Sequence, residues 1–61
     1  MLNATLLSML TAEPASVKDL LKRWPPGEPK PHVVALVDSL RDLAAGGRCI
    51  KVRPGWYRSR L

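Results

Sequence analysis

Cys49-Ile50-Lys51-Val52-Arg53-Pro54-Gly55-Trp56-Tyr57-Arg58 (CIKVRPGWYR, residues 49–58) is the stretch on which the reading of this chain turns. Upstream, apolar residues recur at helical spacing; here they begin to alternate. Ile50 and Val52 fall on one side and Lys51 and Arg53 on the other, the pattern of a half-buried strand. Pro54-Gly55 is a turn signal, because proline presets φ and glycine accepts φ > 0. Trp56-Tyr57-Arg58-Ser59 then returns as a second strand, so residues 48–60 predict a β-hairpin. A Pro-Gly pair favours a type II turn, whose twist suits a two-residue hairpin poorly, so a looser loop than a type I′ turn is expected. Alternation sends one of Trp56 and Tyr57 inward. The expectation is Trp56 in the core beside Ile50 and Val52, with the Tyr57 hydroxyl exposed.

Three helical patterns precede the hairpin. Leu2, Leu6, Met9 and Leu10 share one helical face, Asn3 or Thr5 is available as a cap, and Glu13-Pro14 ends the pattern, giving a first helix over roughly residues 3–12. In SVKDLLKRW, Ser16 followed by Asp19 has the spacing of a capping box. Val17, Leu20, Leu21 and Trp24 then recur at i, i+3, i+4 and i+7, which predicts a second helix over 16–24 with Trp24 in the core. The connector PPGEPKP cannot be helical and is too long for a compact three- or four-residue turn. Pro31 suits the first position of a third helix over 31–46. Val33, Leu36, Val37, Leu40, Leu43 and Ala44 form its buried stripe, and Gly46-Gly47 its stop.

With 61 residues the chain is one domain near the lower size limit for independent folding. Apolar residues make up 46%, enough for a core and too many for the signature of disorder. No apolar run approaches the roughly 20 residues of a membrane span. The start of the chain lacks the basic segment of a secretory leader. Cys49 is the single cysteine and His32 the single histidine, so neither a disulfide nor a Cys/His metal site can be built within one chain. A reducing, cytoplasmic compartment fits such cysteine usage.

The net charge of +5 is unevenly distributed. Residues 1–29 balance Lys18, Lys22 and Arg23 against Glu13, Asp19 and Glu28. The whole excess lies in residues 30–61, and from Arg48 onward every charged side chain is basic. This asymmetry points to a polyanionic partner.

Taken together, SVKDLLKRW as second helix, PHVVALVDSLRDLAAGGR as third, and CIKVRPGWYR as wing resemble the winged helix-turn-helix superfamily, a mainly α fold of three helices with a small β-hairpin. The resemblance covers nearly the entire chain, and the long proline-rich connector departs from the common short turn. It implies a DNA-binding transcriptional regulator of prokaryotic or phage type with double-stranded DNA as partner, and the small area that one such module covers on DNA points to a homodimer as the working form. Its third helix would lie in the major groove and its wing on the flanking backbone or minor groove.

Residues can be set against those roles. Lys30 and His32 stand at the N-terminal end of the third helix, where backbone N–H groups and the helix dipole favour phosphate. Ser39 flanks the face opposite the buried stripe. Asp38 and Asp42 lie on that face, where they repel phosphate unless they pair with Arg41, although an aspartate can accept from a cytosine amino group. Arg48, Lys51, Arg53, Arg58 and Arg60 supply the wing with cations, and Tyr57 a hydroxyl. Lys18 follows the second helix's cap. No cofactor, small-molecule substrate or catalytic constellation is expected. The rival reading is a winged helix that holds another protein without binding DNA. Asp38, Asp42 and the exposed Val34 and Ala35 favour it.

Overall fold

The computed structural model describes residues 2–60, which form six elements: α1 (Leu2–Met9), β1 (Ala15–Ser16), α2 (Val17–Lys22), α3 (Val33–Ala45), β2 (Cys49–Arg53) and β3 (Trp56–Ser59). The strands make one antiparallel sheet in the order β1-β3-β2. The molecule is thus a small mixed domain of three helices and a three-stranded sheet. Leu6 and Leu20 from the first two helices meet Leu36, Leu40 and Leu43 of α3, and Ala15, Cys49 and Tyr57 close this core from the sheet. Among the described residues no polar or charged side chain is buried, and no helix is long and apolar enough to cross a membrane.

Each helix ends where local chemistry stops it. α1 begins at Leu2, so Asn3 and Thr5 lie inside it and do not cap it, and it ends at Met9, short of Pro14. The α2 capping box forms as its spacing requires: Ser16 Oγ accepts from the Asp19 N–H at 3.0 Å, and Asp19 Oδ2 accepts from the Ser16 N–H at 3.3 Å. α2 stops at Lys22, and Trp24, 8% exposed, enters the core from the connector. The Trp24 indole N–H donates to the Pro29 carbonyl at 3.1 Å and pins the proline-rich segment.

α3 starts at Val33, two residues later than expected. Its N-cap is His32, whose Nδ1 accepts from the Val34 N–H at 3.2 Å, so Pro31 precedes the cap and is not the first helical residue. At the other end, Arg48 N–H donates to Leu43 O and Gly47 N–H to Ala44 O, the paired bonds of a Schellman motif. Gly47, with φ of 74°, supplies the left-handed residue this motif needs.

β1 was not expected from the sequence. Ala15 pairs with Tyr57 and Ser16 with Trp56, which places β3 in the middle of the sheet. Two further backbone bonds brace β3 and its turn: Ser59 N–H to Thr11 O at 2.7 Å, and Val17 N–H to Gly55 O at 3.1 Å. The turn of the hairpin is therefore tied to the first residue of α2.

Candidate nucleic-acid interface

The hairpin presents a different face from the one alternation suggests. Cys49 pairs with Ser59, Ile50 with Arg58, and Lys51 with Tyr57, after which a bulge intervenes and Arg53 pairs with Trp56. Opposed residues share a face of a sheet. Cys49 and Tyr57 therefore turn toward the core, and Ile50, Arg58, Trp56 and Arg53 lie on the opposite face. Three expectations are corrected here. Cys49, not Ile50 or Val52, fills the inward position of β2, and Val52 is 47% exposed. Tyr57 is the core aromatic at 2% exposure, so it is not a surface hydroxyl, and Trp56 is the half-buried ring on the outer face. Lys51 and Arg53 do not share a face, because the extra residue of the bulge reverses the alternation between them.

The bulge and the Pro54-Gly55 turn belong together. Gly55 has φ of 80°, the value for the third residue of a type II turn. Such a turn splays the strands beside it, and the added residue at Val52 takes up the mismatch. One consequence is that Arg53 lies over the Trp56 ring, its guanidinium carbon 4.6 Å from the ring centroid. This contact holds the guanidinium over the ring while Arg53 stays exposed.

The other cations differ in how firmly they are held. Arg58 is half-buried and donates from Nη1 to Ser59 O at 3.1 Å. Arg60, beyond the end of β3, donates from Nη1 to Gly47 O at 3.0 Å, tying the end of the hairpin to the carboxyl end of α3. Arg48 and Lys51 are exposed. None of these five has a carboxylate partner at ion-pair distance among the described residues. Lys18 is exposed and follows Val17, whose N–H is bonded to the hairpin turn, so the α2 N-terminus adds its cation beside the turn.

On α3 the expected surface residues Asp38, Arg41 and Asp42 are exposed, Ser39 is half-buried, and no ion pair joins the two acids to Arg41 among the described residues. Lys30 and His32 are exposed at the start of the helix. Because His32 Nδ1 accepts the Val34 N–H, the neutral ring carries its proton on Nε2. Val33 was expected within the buried stripe and is instead 45% exposed, next to Val34 at 59%. Val33, Val34, Val37 and Asp38 border an open concavity of about 180 Å³. A second cavity of about 240 Å³ lies between α1 and the connector, with Thr5 Oγ1 and Glu28 Oε1 3.4 Å apart at its wall. Among the described residues no group of His, Cys, Asp and Glu could hold a metal ion.

Sequence reasoning missed Trp56 and Val33 as surface residues. For Trp56 a signal exists, an arginine and a tryptophan flanking a two-residue turn, which makes them direct cross-strand neighbours. No protein-family model, curated protein or solved structure matches the chain.

Proposed function

We propose that this chain is a winged helix-turn-helix domain that binds duplex DNA, its hairpin gripping the sugar–phosphate backbone and α3 facing the groove. The observation that carries this reading is the cationic hairpin, in which Arg48, Lys51, Arg53 and Arg58 have no carboxylate partner among the described residues. The order of three helices followed by a hairpin agrees with that fold, and β1 adds a brace along the turn end of the wing. Arg53, held over the Trp56 ring, and Lys18 in the first turn of α2 extend the cationic surface to the start of that helix. Phosphate contacts of this kind fix position without reading sequence.

A single module of this size covers about 600–1,000 Å² on DNA, and useful specificity generally takes two half-sites. The working form in this reading is a homodimer on paired half-sites, acting as a transcriptional regulator in the cytoplasm. The competing protein-binding reading draws on Val33 and Val34, apolar and exposed on α3. A random duplex at low salt separates the two. A DNA-binding domain is retained on heparin and shifts the duplex, and with about four phosphates neutralised its affinity falls by roughly a hundredfold between about 50 and 200 mM salt. A protein-binding module does neither at micromolar concentration.

A further inference from the structure

The exposed apolar patch at the start of α3 is not explained by packing. Val33 and Val34 lie in the first turn of α3 and Val37 in the second, and they border the 180 Å³ concavity with Asp38 on its rim. The first turn contains no acid, and Lys30 and His32 stand immediately before it. In a helix that enters the major groove, the N-terminal residues meet the base edges. What they meet there that is apolar is the 5-methyl group of thymine.

We propose, resting on the DNA reading above, that Val33, Val34 and Val37 form a seat for thymine methyl groups and give the domain its preference for T·A pairs. Three features favour this occupant. The Asp38 carboxylate on the rim repels phosphate, so the patch suits a base edge and not the backbone. Lys30 and His32, both exposed immediately before the helix, are placed to hold phosphates on the flank of the same groove. Three valines on two helical turns also form too small a patch for a stable protein interface, which takes about 800 Å² from each partner. A methyl group needs only such a shallow apolar hollow.

The test compares two duplexes of about 20 base pairs, or two helical turns, identical except that every thymine in one is replaced by deoxyuridine. The exchange removes only methyl groups; the phosphates and the O4 acceptor remain. Affinity for the thymine duplex is expected to be about fourfold higher for each methyl seated, and about fifteenfold higher for two. The double variant V33S/V34S, changed only at exposed positions and keeping the half-buried Val37, should lose most of this difference and keep the wild-type salt dependence. Equal wild-type affinity for the two duplexes overturns the inference and leaves the DNA reading intact. So does a thymine preference of undiminished size in the variant, because it then does not come from the patch. Failure to bind either duplex at low salt overturns the DNA reading itself. A change in sedimentation between wild type and variant without DNA assigns the patch to a second copy of the chain and overturns the inference as well.

Discussion

Tyr57 and Trp56 are neighbours in β3 with opposite duties. Tyr57 is packed into the core opposite Ala15, and Trp56 is the plate beneath Arg53. Removing a core ring costs about 3–5 kcal/mol, close to the whole stability of a domain this small. Tyr57→Ala is therefore expected to be largely unfolded at 25 °C by far-UV circular dichroism. Trp56→Ala should keep a cooperative urea transition and bind duplex more weakly, because it frees Arg53 from a contact worth about 0.5–1 kcal/mol. If Trp56→Ala unfolds and Tyr57→Ala does not, the two roles are reversed. Alternation along the sequence shows that these residues face opposite ways and gives no sign to the difference. The sign is set at Cys49, which leaves the Schellman turn of Gly46-Gly47 with its side chain against Leu40 O at 3.9 Å. Cys49 and Ile50 are both apolar, so composition alone does not choose between them.

Among the elements, α2 and α3 were the most legible, because capping chemistry and glycine stops act over a few residues. Ser16 and Asp19 form their box, and Gly47 takes the left-handed position. β1 was not legible: two residues carry no alternation, and Ala15-Ser16 is a strand only because β3 lies beside it. The Val52 bulge was equally hidden, since it answers the twist of the turn and not any pattern in the strand. The start of α3 was misplaced because proline suits the first helical position, whereas the His32 ring supplies the cap two residues before Val34. This assignment has a direct check. His32→Ala should lower stability by about 1 kcal/mol in chemical denaturation, and His32→Ser should recover most of that loss by capping in the same way. Identical stability of His32→Ala and wild type would remove the ring from the cap. A His32→Ser protein that is stable yet weaker on DNA would assign the Nε2–H donor to the interface.

At the scale of the whole molecule, one buried thiol couples stability to pH. Burial at the junction of α3 and the sheet pushes the Cys49 thiol above its ordinary value of 9.0. Above pH 9 the unfolded chain therefore releases this proton while the folded chain retains it. Stability is then fully present below that pH and falls as pH rises beyond it. Cys49→Ala should flatten this alkaline decline in denaturation curves, and an unchanged decline would assign it to other groups. The central claim, a cationic hairpin on a duplex backbone, is reached most directly by the slope of log K against log salt. With about four phosphates neutralised, the wild-type slope on a random duplex is expected near −4, and near −2 for a protein carrying both Arg53→Ala and Arg58→Ala. The same slope in both proteins, or no salt-dependent binding in either, would contradict the account.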